Sequence, residues 1–191
     1  MLIMIKNVFN HLKTILTHKY WVFIYSYRLG IPWQGLMHDM SKFSPTEFFE
    51  SVKYYIGTSS PIPEAKSKQG FSLAWQHHKG RNPHHYEYWT DNYDTGTTTI
   101  QIPYKYVLEL VADYLAAGRT YRGKYFAFRD EWDWWVMRIA NNPPKMHPKS
   151  RELATQLFRI LYTYEDRGQD GFKYIRINRK LFENEYNGGT E

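Results

Sequence analysis

Residues 5–29 read IKNVFNHLKTILTHKYWVFIYSYRL. Ile5, Val8, Phe9, Leu12, Ile15 and Leu16 recur at the three-and-four spacing of an α-helix, and His18, Val22 and Tyr25 continue a face seeded by Ile15. Gly30 and Pro32 end the helix. Lys6, His11, Lys13, His18 and Lys19 interrupt the apolar residues too often for a span of about 20. No small-residue cleavage site follows. The expectation is an amphipathic core helix in a cytoplasmic protein that does not enter a membrane.

Outward from this helix the same period recurs. A short helix is expected over Gln34 to Ser41. Ser44-Pro45-Thr46-Glu47 predicts the next start, with Ser44 as cap, Pro45 in the first turn and Glu47 closing a capping box, and this helix runs to about Ile56. Further helices are expected from Glu64 to His78, Tyr104 to Thr120, Trp132 to Ala140, Ser150 to Glu165 and Gly171 to Phe182. Gly80 and Pro83 break the chain between two histidine pairs. Thr90 to Gln101 reads as irregular, with strand-like character only in Thr97–Ile102. Residues 184–191 read as a frayed tail. There is no internal repeat and no interdomain linker. One compact, single-domain, all-α helical bundle over residues 1–191 follows.

Composition narrows the chemistry. The 191 residues suffice for one well-packed domain. With no cysteine, thiolate sites and disulfides are excluded, and any metal must be held by nitrogen and oxygen. A formal net charge of +6 favours small anionic partners such as nucleotides. Nucleic acid is less favoured, because no run of Lys and Arg is dense enough to form a binding tail. The 17 Tyr, 11 Phe and 7 Trp must supply much of the core and of any pocket wall.

The segment Gln76–Trp89, QHHKGRNPHHYEYW, packs four of the eight histidines into nine positions. Neutral imidazole is the commonest protein metal ligand. His18, the pair His38-Asp39 and Asp113 add ligands elsewhere, and the carboxylates would offset the charge of a cation. The set His18, His38, Asp39, His78, His84, His85 and Asp113 is large enough for one or two divalent transition-metal ions, Fe, Mn or similar. His11 lies on the same helix face as His18 and is a weaker candidate. His38 and Asp39, on one helix, would point about 100° apart. Lys42, three and four residues on, lies on their side and could hold a phosphate. Glu87 could orient a ligand histidine or transfer a proton. Lys79, Arg81, Arg119 and Arg122 could form an anion-binding rim. Trp75, Tyr86, Tyr88 and Trp89 could stack a base. His147 reads as a loop or capping residue.

The ordered set His18, His38-Asp39 and Asp113 on successive helices resembles the HD-domain superfamily of metal-dependent phosphohydrolases. LMHDMSKF is similar to the His-Asp-x-x-Lys element of its dinuclear members. His78, His84 and His85 resemble the extra histidines of its cyclic-dinucleotide phosphodiesterases. The Asp-Gly-x-Gly-Tyr-Pro element of the cyclic-di-GMP hydrolases is replaced by YEYWTDNYD. Nearly the whole chain also looks like a small, functionally uncharacterised bacterial and phage family, through HDMSKFSPTEF, AWQHHKGRNPHHYEYW and a helix from Pro103 to Asp113. That likeness places the relevant histidine four residues before Asn82, at His78. The resemblance implies a metal-dependent phosphohydrolase acting on a nucleotide or other phosphoester. The alternatives are a di-iron oxygenase of the same superfamily and a non-catalytic nucleotide-binding protein, of phage origin in one version.

Overall fold

The computed structural model describes residues 2–94 and 96–188. It is all-α, with ten α-helices among those residues: α1 Leu2–Arg28, α2 Pro32–Met37, α3 Pro45–Lys53, α4 Pro61–Gln69, α5 Leu73–Lys79, α6 Tyr104–Arg122, α7 Phe128–Asn141, α8 Pro148–Asp166, α9 Gly171–Ile177 and α10 Arg179–Gly188. Thr90–Tyr93 (β1) and Gly96–Thr99 (β2) pair antiparallel within the stretch expected to be irregular.

The central element is α6. Val107, Leu108, Leu110, Val111, Ala112, Leu115 and Ala116 are all buried. A helix apolar on nearly every side is enclosed by others. α1 covers one side, α7, α8 and α10 pack on others, and α9 closes against α8 and α1. Trp135, Leu157, Phe158, Phe172 and Ile175 complete the core behind it. α2 and α3 pack on α1, and α5 packs on α3, which brings the segments around His38, Glu47 and His78 together.

The face of α1 that is buried is the one carrying His11, Ile15, His18, Val22, Tyr25 and Leu29. Ile5, Phe9 and Leu16, expected to share the core, lie on an exposed stripe with Tyr20, Phe23 and Tyr27. Both stripes have helical period, so hydrophobicity alone does not choose between them. α6 selects the stripe that brings His18 to Asp113.

Several boundaries differ from expectation. The helix expected over Glu64 to His78 is two helices, α4 and α5, because Gly70 takes a left-handed φ of 82° and Ser72 caps a new start through Trp75 N. The one expected over Gly171 to Phe182 is likewise α9 and α10, parted at Asn178. Residues 184–188 belong to α10 and are not frayed: the buried Tyr186 hydroxyl contacts Ser150 Oγ at 2.7 Å and donates to the Ile102 carbonyl. Gly189 to Glu191 lie outside the described residues. Among the described residues no helix is long and apolar enough to cross a membrane.

Candidate metal centre

The site begins with a break in the chain. α2 stops at Met37; His38 is extended (φ −50°, ψ 131°) and Asp39 is left-handed (φ 53°, ψ 30°) before a 3-10 turn at Met40–Phe43. Asp39 is the one non-glycine residue with positive φ among the described residues. Asp tolerates that region better than most residues, and such conformations persist where the surroundings enforce them. Here the Lys19 ammonium donates to the His38 and Leu36 carbonyls and fixes the break. The expected single helix over Gln34 to Ser41 is therefore wrong in its middle. On it, His38 and Asp39 would diverge; across the break both turn to one point.

Other elements converge there. α1 supplies His18, α6 supplies Asp113, the C-terminal turn of α5 supplies His78, and the loop after Pro83 supplies His84 and His85. Trp89 Nε1 donates to the Pro83 carbonyl at 2.6 Å and holds that loop folded back. Asp39 Oδ2 lies 3.1 Å from His38 Nε2 and 3.9 Å from His18 Nε2; Oδ1 lies 3.3 Å from His78 Nε2 and 3.4 Å from His84 Nε2. Asp113 Oδ1 lies 2.9 Å from His18 Nε2 and 3.4 Å from His38 Nε2. Two groups positioned to hold a metal ion result, His18–His38–Asp39–Asp113 and Asp39–His78–His84–His85, with Asp39 common to both. All are buried except His85, which is partly so.

The donors suit a cation. Asp39 Oδ1, His84 Nε2 and His85 Nε2 are buried without a hydrogen-bond partner, while His18 Nε2 and His38 Nε2 face carboxylate oxygens. Each unsatisfied atom costs about 1–3 kcal/mol, and divalent ions with bonds of about 2.1 Å would satisfy them.

A second layer of carboxylates orients the rings, and the sequence reading missed it. Glu109 Oε1 lies 2.9 Å from His38 Nδ1 and 3.2 Å from His84 Nδ1. Glu47 Oε2 lies 2.8 Å from His78 Nδ1. An Nδ1–H donated to a carboxylate leaves the Nε2 lone pair free for a metal. His38, His84 and Glu109 can also be drawn as a ligand group, but those Nδ1 atoms are already engaged, so Glu109 acts behind the centre. Glu109 was legible: it sits four residues before Asp113 in an apolar helix, hence on the same face. Glu47 was not, because its spacing suits a capping box. Ser44 does cap α3 through Glu47 N, but the Glu47 carboxylate turns to His77 and His78. Asn82 Nδ2 donates to the His78 carbonyl and Ser41 Oγ, each at 2.8 Å.

Charges follow this geometry. Burial pushes the Asp39 carboxyl up, but the charges of His38, Lys42 and His78 hold it well below the carboxylate range. Burial likewise opposes hydrogen bonds from His18 and His38 at Asp113, and the hydrogen bonds win. Burial pushes His38 down, but the charge of Asp39 and hydrogen bonds to Asp113, Asp39 and Glu109 together hold it well above its ordinary value. Burial, then the charges of His84 and His78, keep His85 neutral. Lys42 Nζ lies 2.6 Å from Asp39 Oδ2.

A cavity of about 220 Å³ opens on the centre, lined by His18, Asp39, Lys42, His78, His85 and Asp113 among others. The expected anion-binding rim is elsewhere. Arg119 stacks on Trp21 and donates to the Phe126 carbonyl, Arg122 pairs with Asp130 at 2.9 Å, and Lys79 and Glu87 line a separate cleft with Arg138. Arg81 lines a second cleft, together with His38, Asp39 and His84 but apart from the cavity. Helical phase explains the miss: Arg119 is six residues after Asp113, which rotates it away from the face that Asp113 shares with Ala117. Of the aromatic candidates Trp75 alone lines the cavity, with its ring 5.1 Å from that of His85. His77 faces Glu47 and not the centre. His147 occupies the N-cap position of α8 without a capping hydrogen bond.

Fold and site together define an all-α protein with a buried His/Asp centre able to hold metal. A sequence profile matches residues 7–160, and the chain belongs to that family, the family of unknown function DUF5662. No curated protein matches the chain. No solved structure does either.

Proposed function

We propose that the protein is a metal-dependent phosphoester hydrolase on an HD-like helical scaffold, with two divalent ions held on either side of Asp39. The observation that carries this is the shared carboxylate, whose two oxygens face two separate sets of imidazoles. His18, His38 and Asp113 would complete one set and His78, His84 and His85 the other. Nitrogen and oxygen donors without thiolate suit Fe, Mn or similar ions. Bound there, such ions supply Lewis acidity and bring the pKa of water toward neutrality.

The chain's own groups do the rest. Among the described residues Lys42 is the one Lys or Arg lining the cavity, and its ammonium would donate to a phosphoryl oxygen. Burial works against that ammonium, but the charges of Asp39 and Asp113 and the hydrogen bond to Asp39 together hold its pKa above the ordinary value and keep it charged. In the reaction the oxygen of water bonds to phosphorus, the ester P–O bond breaks, and the proton ends on the leaving alcohol. Glu87 takes no part in this scheme, because it lines the other cleft.

The test is elemental analysis of protein purified without a tag or chelator, followed by turnover of p-nitrophenyl phosphate. About two equivalents of transition metal are expected, both lost in Asp39→Ala. Full metal content in that variant overturns the proposal. The apolar cavity wall favours one second reading, an iron-dependent oxygenase; dioxygen consumption without phosphate release would select it.

A further inference from the structure

The cavity has a direction. His18 and Asp113 stand at the metal end. From there Ile15 and His11 step back along α1, while Ala117 and Tyr121 step forward along α6, and all four line the cavity. His11 is seven residues from His18, about 10 Å along the helix. Ile15, Ile62, Trp75, Tyr114, Ala117 and Tyr121 make most of the wall. Apart from Glu47, whose carboxylate is engaged by His77 and His78, the polar lining beyond the ligand end is neutral: Thr14, Ser51, Ser60, Thr120 and His11, whose Nδ1 is buried without a partner. Burial first, then the charge of Lys42, pushes His11 down to about 4, so it is uncharged near neutrality. Among the described residues no arginine lines the cavity.

We propose that this cavity takes a small ester with one anionic head group, set on Lys42 and the metal end, and an uncharged apolar body about the size of a substituted aromatic ring. A nucleoside di- or triphosphate does not fit this description. Polyphosphates are recognised by several cations or forked guanidinium groups, and only one ammonium is present. The volume is also below the roughly 300–1,000 Å³ of pockets for larger ligands. As a hydrolysis substrate the molecule would be an aryl or branched alkyl phosphate; that part rests on the function proposed above, whereas the binding preference does not.

Phosphonates separate the two, because their C–P bond resists hydrolysis. Calorimetric titration of the metal-loaded protein would compare phenylphosphonate with inorganic phosphate, ADP and ATP. Phenylphosphonate should bind at least about tenfold tighter than phosphate, since its ring leaves water, and ADP and ATP should gain nothing over phosphate. Ala117→Phe should abolish the gain of the ring while phosphate binding and metal content persist. If that variant does not fold, Ile62→Phe fills the cavity from the opposite wall. ADP or ATP binding tighter than phenylphosphonate overturns the proposal, as does an undiminished ring effect in the filled cavity. Tight phenylphosphonate binding without turnover of phenyl phosphate upholds the binding preference and refutes hydrolysis.

Discussion

Replacing Glu109 with glutamine removes a charge that touches no metal, yet both metal sites should weaken. The Glu109 carboxylate lies 2.9 Å from His38 Nδ1 and 3.2 Å from His84 Nδ1. His38 belongs to one ligand set and His84 to the other. Both rings meet the same oxygen, Oε1, so a glutamine carbonyl can still accept from both, but without the negative charge it holds each N–H more weakly. Loss of an outer carboxylate costs about 10–100-fold in metal affinity, and tenfold is about 1.4 kcal/mol. Both sets should therefore fall by nearer tenfold, with Glu109→Ala, which removes the acceptor altogether, bringing both toward about 100-fold. Glu47→Gln is the contrast: of the two rings it holds, only His78 is in a ligand set, so one equivalent should weaken and the other persist. Chelator competition with a fluorescent metal indicator measures both affinities, and circular dichroism checks the fold. An affinity change below about threefold at both sites in Glu109→Gln, with the helical signal intact, would refute the orienting role.

Gly35→Ala should destabilise by about 1–3 kcal/mol and lower metal content, because the new Cβ would lie 2.6 Å from Ser26 Cβ and 3.0 Å from Phe23 Cα, forcing α2 and with it His38 off α1; thermal melting and elemental analysis read the two effects. Trp135→Ala, at a fully buried ring whose Nε1 donates to Thr155 Oγ1 at 2.8 Å, should cost about 3–5 kcal/mol in denaturant unfolding. His11 gives a pH dependence in the metal-free protein. Its folded value is depressed to about 4, so its contribution is complete above the unfolded value of about 6.5 and is lost as pH falls toward 4. Melting temperatures of wild type and His11→Gln should converge over that window, and curves that stay parallel would remove the effect.

Much of the fold was legible in the sequence because helices announce themselves locally: a three-and-four apolar period, Ser44 before Pro45, and Pro103 before a long apolar run. The residues that gather into the candidate metal groups were legible for a chemical reason, since imidazole and carboxylate are the ordinary ligands of a chain without cysteine. What local pattern could not supply was direction. α1 carries two apolar stripes of equal period, and only packing on α6 decides that His18 faces inward while Phe9 and Leu16 face out. The left-handed turn at Asp39 follows from contacts made by Lys19, twenty residues away, and so is invisible in LMHDMSKF itself. Glu47 looks like a helix cap until α5 brings His78 to it, and Arg119 looks like part of a pocket until the turn of α6 sends it to Trp21. The sequence by itself determined which residue types could hold a metal and that they would ride on helices. The tertiary structure alone decided which carboxylates orient them, that Asp39 lies between two sets, and that the cavity beyond is apolar, because each depends on side chains from elements far apart in the chain meeting at one point.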